Sequence, residues 1–140
     1  MLTVYPACFF KESNGYSVVF PDLNWLSTCG DSVQDAMEMA IDCLAGHIYM
    51  SQKLGEQIPA PSNIADINIE KVEEELDLQA VEAIVNLVSV DVKEYAKTHF
   101  EKAVKKTLSI PMWLNSAAEA ENINFSKTLQ EALKVKLNIL

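Results

Sequence analysis

The chain contains no arginine, so all eleven of its basic residues are lysines. Any positive contact to nucleic acid must therefore come from a compact ammonium charge, not from a planar guanidinium fork. Cysteine is scarce and odd in number. Cys8, Cys29 and Cys43 lack metal-type spacing and lie in apolar surroundings, which predicts reduced core residues in a cytoplasmic protein. There is no run of about 18 apolar residues of the kind that spans a membrane, so no membrane partner is expected. Thr3 to Phe10 is apolar, but no basic segment precedes it, so no secretory leader is expected. The sequence has no CxxC pair, no glycine-rich phosphate loop and no Ser-His-Asp spacing. His47 and His99 stand alone, without a second His or a Cys nearby, and no metal or cofactor is expected. His47 falls near the end of a predicted helix, where a cation is favoured, and reads as structural.

The net charge of −9 is unevenly placed. Residues 1–92 carry three lysines and fifteen acids, a net of −12, whereas residues 93–140 carry eight lysines and five acids, a net of +3. This is the pattern of an acidic module joined to a mildly basic one. An acidic module repels DNA and attracts basic proteins. No internal repeat or low-complexity tract interrupts either part.

Leu2 to Phe10 reads as a strand, and Pro6 within it predicts a sheet edge or a strand beginning. Asn14-Gly15 signals a tight turn. Tyr16 to Phe20 returns, Pro21 to Asn24 interrupts, and Trp25 to Cys29 forms a third short strand. Gly30-Asp31-Ser32 ends it and supplies a helix cap at Asp31 or Ser32. The helix then runs to about Lys53 with Val33, Ala36, Met37, Ala40, Leu44 and Ile48 as its buried stripe. Gly55 to Ser62 is a loop, and the acidic stretch Ile69 to Leu78 reads as a solvated helix. Ala83 to Val92 is a fourth strand, and Lys93 to Glu101 a polar, partly helical connector. The result is a small antiparallel sheet covered on one face by a helix. Its other face must meet water or a partner, and aromatics with acids suit a basic protein surface.

The last part cannot satisfy itself. Ala103 to Ile110 alternates, with Val104, Lys106, Leu108 and Ile110 on one face and Lys105, Thr107 and Ser109 on the other. Pro111 suits a helix start, and Met112 to about Glu121 follows as a helix with Leu114, Ala117, Ala118 and Glu121 on one side. Asn122-Ile123-Asn124 breaks it, and Asn124 caps a second helix from Phe125 to about Leu137. One strand and two helices leave a sheet edge with no partner in the same chain. A second copy, paired antiparallel across a two-fold axis, satisfies it and makes a ribbon that fits the DNA major groove. This pattern resembles the ribbon-helix-helix dimers of bacterial repressors. The resemblance implies that Lys105, Thr107 and Ser109 read base edges. It also places the start of the second helix, Asn124 to Ser126, on a phosphate. Lys102 and Lys106 are placed for phosphate, Lys106 by snorkelling from the inward register. A C-terminal helical hairpin with an edge strand and a helix-turn-helix are the alternatives, and the strand's polar face disfavours both.

A second resemblance spans nearly the whole chain apart from about residues 63–83. Tyr5-Pro6-Ala7, Gly15-Tyr16-Ser17-Val18, Phe20-Pro21-Asp22-Leu23, Gly30-Asp31-Ser32, Ile58-Pro59-Ala60-Pro61-Ser62 and Val90-Asp91-Val92 resemble the HicB antitoxin family. Ile110-Pro111, Trp113-Leu114 and Ile123-Asn124-Phe125-Ser126 resemble its ribbon-helix-helix version. The chain departs at Asn24-Trp25-Leu26, where a Pro-Gly-Cys turn is common. The resemblance implies an α+β chain in which a β-β-β-α-β partial ribonuclease-H-like domain (residues 1–92) binds a small basic HicA-type toxin that cleaves mRNA. A connector (93–101) and a ribbon-helix-helix unit (102–140) for dimerisation and operator binding follow. Candidate toxin contacts are Tyr16, Phe20, Asp22, Asn24 and Trp25. The runner-up is a stand-alone ribbon-helix-helix regulator with a ligand-sensing N-domain. A ribonuclease-H-like nuclease is weaker, because Leu2 to Phe10 contains no acid. Moreover, Asp35 and Asp42 on one helix would lie about 10 Å apart, too far to share ions about 4 Å apart.

Overall fold

The computed structural model describes residues 1–139 as an α+β chain with one four-stranded antiparallel sheet and five α-helices. Leu140, the last position of the expected C-terminal unit, lies outside the described residues. The chain divides into two compact units, Met1–Ala103 and the residues from Val104 onward.

In the first unit, β1 (Thr3–Glu12), β2 (Gly15–Phe20), β3 (Leu26–Gly30) and β4 (Glu82–Val90) stand in the order β3-β2-β1-β4. The first strand is thus central, not at the edge that Pro6 predicts. The reason lies in the pairing. Val81 N–H reaches the Lys11 carbonyl at 2.8 Å, so odd-numbered residues of β1 face β4 and even-numbered ones face β2. Pro6 turns its missing N–H toward β2, whose pairing with β1 stops at Cys8↔Val19. Toward β4 the register continues unbroken from Thr3↔Val90 to Lys11↔Glu82. Proline costs no ladder bond here. The turn falls on Ser13-Asn14, and Gly15 is the first residue of β2 with φ +135°. A Cβ on Gly15 would sit 2.6 Å from the Gly30 carbonyl oxygen, so both backbone angle and space require glycine.

Ser32 caps α1 (Val33–Leu54), its Oγ accepting from Asp35 N–H at 3.1 Å. Of the predicted stripe, Ala36, Ala40, Leu44 and Ile48 are buried, Met37 is half-buried and Val33 is exposed. They pack on Tyr5, Ala7, Phe9, Val18, Phe20, Val88 and Val90. His47 is half-buried two turns before the helix end, beyond the reach of the terminal dipole.

The opposite sheet face is covered by the chain itself, in place of the water or partner expected there. Cys8, Phe10 and Val19 pack with Val72 of α2 (Ile69–Glu75), and with Trp25, Ile67, Leu76 and Leu78. The acidic stretch 69–78 therefore hides an apolar side, and its charged residues other than the half-buried Glu73 are exposed. Of the three cysteines expected in the core, only Cys8 is there; Cys43 is half-buried and Cys29 exposed. Burial pushes the Cys8 thiol up to about 11. The expected connector forms α3 (Val92–His99), capped by Asp91 Oδ1 accepting from Glu94 N–H at 3.1 Å. It packs against α1 through buried Ala96 and the Tyr95 Oη donating to Asp42 Oδ1 at 2.9 Å. No helix among the described residues is long and apolar enough to cross a membrane.

The second unit holds α4 (Met112–Ala120) and α5 (Phe125–Lys136). Asn122, at φ +52°, ends α4: its N–H bonds Glu119 O and Ile123 N–H bonds Ala118 O, the pairing of a left-handed helix stop. Asn124 Oδ1 accepts from Lys127 N–H at 3.0 Å, which is the predicted cap. The strand expected at residues 103–110 is not formed in the single chain, where residues 101–111 have no regular structure. A lone strand has nothing to bond with.

Candidate functional site

Two surfaces carry the candidate residues, one on each unit. On the first, the interruption after β2 becomes a short 3₁₀ turn at Pro21–Leu23 followed by two left-handed residues, Asn24 (φ +56°) and Trp25 (φ +62°). A bulky residue rarely adopts that conformation. Here Trp25 is held by packing into the second core and by Ser27 Oγ–H donating to its carbonyl at 2.7 Å. Asn24 is exposed, and Trp25 and Tyr16 are half-buried. Phe20 is wholly buried between the sheet and α1, so it belongs to the core and offers no side-chain surface to a toxin. The Asp22 carboxylate is also engaged internally. It accepts from Ser62 N–H at 2.8 Å and from Ser62 Oγ–H at 2.6 Å, tying the loop after α1 to the turn. The same loop is held by Tyr5 Oη donating to the Pro59 carbonyl. Burial first, and the Asp22 charge second, raise the Tyr5 pKa.

Asp35 and Asp42, the carboxylates weighed for metal chemistry, have partners of their own. Asp35 Oδ2 accepts from Asp31 N–H at 2.9 Å, and Asp42 accepts from Tyr95. Beside the start of α1, and unanticipated from sequence, lies an apolar groove of about 450 Å³. Its wall is the first turns of α1, with Val33, Met37 and Glu38, and its floor is Phe9, Tyr16 and Ile84. Ile84 and Asn86 near the start of β4 line the groove and are exposed, whereas Val88 and Val90 further along the same face are buried in the core that α1 shares. The available signal was the uncharged run Ala83 to Val90, with Ile84 left 54 % exposed.

On the second unit, Lys105, Thr107, Ser109 and Lys106 are exposed, as are Asn124, Phe125 and Ser126; Lys102, at the end of the first unit, is exposed too. The cap at Asn124 occupies Lys127 N–H and leaves the Phe125 and Ser126 amides without an intramolecular partner among the described residues. Such amides at a helix start suit an anion. The apolar residues here are unburied: Trp113 is 72 %, Phe125 45 % and Leu133 50 % exposed, and no residue of α4 or α5 is buried.

Residues 5–133 match the family described as HicB-like antitoxin of bacterial toxin–antitoxin systems. No curated protein matches the chain. Among solved structures it is similar to a chain of a toxin–antitoxin complex from Streptococcus pneumoniae, at 28% identity, covering 97% of this chain and 99% of that one, with a TM-score of 0.63. The Burkholderia pseudomallei antitoxin HicB is similar at 21% identity over 97% of each chain, with a TM-score of 0.47. The antitoxin HicB3 is 26% identical over 99% of this chain and 100% of that one, with a TM-score of 0.45.

Proposed function

The chain belongs to the HicB-like antitoxin family of bacterial toxin–antitoxin systems, and from that premise we propose that it binds and neutralises a small basic HicA-type toxin that cleaves mRNA, and represses its own operon by holding operator DNA. The family is a regulatory, non-enzymatic component of such systems, so neither job asks the chain for a reaction. In this reading residues 1–92 form a curtailed ribonuclease-H-like fold that takes the toxin, and residues 102–140 form half of a ribbon-helix-helix dimer.

The observation that carries the reading is the apolar face of the second unit. Leu108, Ile110, Leu114, Phe125, Leu133 and Leu137 are all at least 41 % exposed in the single chain. A piece of fewer than about 40 residues rarely folds stably without a cross-link, a metal or a second copy. A second copy both pairs residues 103–110 into a ribbon and covers these side chains. It sets Lys105, Thr107 and Ser109 of each chain on one outer face. The toxin half of the reading rests on the net −12 of residues 1–92, which suits a basic protein partner. Tyr16, Asn24 and Trp25 keep surface for such a contact, whereas Asp22 serves the turn.

Co-expression with the product of the adjacent gene, followed by pull-down and a mobility-shift assay on the DNA upstream of the pair, tests both halves. Co-purification and a retarded operator band are expected. A toxin that stays active in the presence of excess chain overturns the antitoxin half, and a chain that leaves the upstream DNA unshifted overturns the repressor half.

A further inference from the structure

We propose that the free edge of β4, with the groove beside it, takes an extended apolar segment of the basic toxin as a fifth strand of the sheet; the proposal rests on the antitoxin reading above. β4 closes the sheet order on one side, so half of its backbone groups have no strand to bond. Because even-numbered β4 residues face β1, the N–H and C=O groups of Ala83, Val85, Leu87 and Ser89 point outward. Protein edges of this length normally carry lysine, proline or a bulge to prevent pairing. Here Ala83 to Val90 holds no charge and no proline, and its register with β1 is continuous.

Each face of that edge exposes one large apolar side chain, beside the polar Asn86 on one face and Ser89 on the other. Ile84 on the α1 side is 54 % exposed and Leu87 on the other side 50 % exposed. An added strand sends alternate side chains to the two faces. One set would enter the groove between Met37 and Ile84, and the other would cover Leu87. Asn86 Oδ1 accepts from Leu87 N–H at 2.9 Å, so in the free protein a side chain occupies one outward donor and would swing aside on pairing.

The charge around the edge selects the occupant. Glu82 opens β4 and Glu38 stands on the groove wall, against a single lysine, Lys11, in the groove lining; Asp91, past the other end of the strand, is already paired with the Met1 ammonium at 2.9 Å. A second copy would bring two modules of net −12 together along this edge, which electrostatics opposes. A strand with Lys or Arg beside Glu82 and Glu38 fits the groove end. Backbone bonding would supply affinity and the groove side chains selectivity, as in other strand-addition complexes.

The test uses the full-length chain and a HicA-type toxin that it neutralises, with affinities from titration calorimetry. Leu87→Pro removes an outward N–H without touching the β1 ladder, Ile84→Glu places a charge on the groove floor, and Cys29→Pro makes the same outward change on the opposite edge strand. Leu87→Pro and Ile84→Glu should each weaken toxin binding at least tenfold, with Cys29→Pro and operator binding unchanged. If circular dichroism shows that Leu87→Pro is unfolded, Ile84→Glu decides. Toxin binding that survives in the folded variants overturns the edge and leaves the antitoxin reading standing. Failure of the unaltered chain to bind the toxin overturns both. A lower sedimenting mass for free Leu87→Pro with toxin binding intact would assign the edge to a second copy and overturn the proposal.

Discussion

Gly30→Ala should be among the most damaging small changes in the first unit. Gly30 ends β3 opposite Tyr16, directly beneath the first turn of α1. A Cβ there would lie 2.4 Å from Ala36 N, 2.6 Å from Ala36 Cα and 2.8 Å from the Asp35 carbonyl carbon. Ordinary carbon contacts are about 3.5–4.0 Å, so the helix must retreat by about 1 Å. All three neighbours are backbone, and no side chain can rotate away. The retreat lifts Ala36 and Ala40, both fully buried, from the sheet. It also pulls on the Ser32 cap, where Ala36 N–H meets Ser32 O at 2.8 Å. Overpacking of this kind costs about 1–3 kcal/mol, and a loosened cap adds up to about 1 kcal/mol. The expected loss is therefore about 1–4 kcal/mol. Gly46→Ala is the control, since its Cβ would meet only Phe100 Cζ at 3.6 Å. Within a helix it should stabilise by about 0.5–1 kcal/mol. Urea unfolding in a Trp113→Phe background lets Trp25 report on the sheet unit alone. A Gly30→Ala stability within about 0.5 kcal/mol of its parent, the scatter of ordinary surface changes, would refute the close-approach argument. So would equal damage from Gly46→Ala.

Asp22→Ala should cost about 1 kcal/mol through its two lost bonds to Ser62, and limited proteolysis should cut residues 55–63 faster. The Tyr95 phenol is pushed up to about 12, chiefly by burial and then by its bond to Asp42. The folded state thus holds this proton more tightly than the unfolded chain, so its contribution is complete below pH about 10 and is lost as pH rises toward about 12. Stability–pH curves should lose that alkaline slope in Tyr95→Phe, and tyrosinate absorbance should lose its latest-titrating step. Ile110→Ala should weaken the proposed dimer by about 2–5 kcal/mol, read by sedimentation across a dilution series. Lys105→Ala should cost about 1–3 kcal/mol at the operator and relax one position per half-site. Lys102→Ala should instead weaken all sequences alike and flatten the salt slope by about 1. Unchanged operator binding by folded, dimeric Lys105→Ala would remove the ribbon from the DNA.

What could be read from the sequence was whatever neighbours along the chain decide. The Ser32 and Asn124 caps and the Asn122 stop rest on bonds spanning three to five residues. The buried stripe of α1 follows from helical spacing, and the alternation in 84–92 marks β4 for the same local reason. The charge asymmetry is likewise a property of composition, and it pointed to an acidic unit before any fold was known.

Tertiary structure decided what depends on residues far apart in the chain. Pro6 argued for an edge because a proline usually costs a ladder bond. Only the pairing of Thr3 with Val90 and the early end of β2 show that its bondless side faces a gap. The stretch 69–78 looked solvated because its acids outnumber its apolar residues, yet Val72 is 3 % exposed against Cys8, Phe10 and Val19 of a sheet formed mostly before it. Phe20 looked available to a partner because aromatics serve cores and interfaces alike, and burial beneath α1 settles its place. The groove is invisible in sequence, since it is the part of the sheet that α1 fails to cover. The strand at 103–110 is the converse case: its alternation is plain in the sequence, but one chain has no second edge with which to form it.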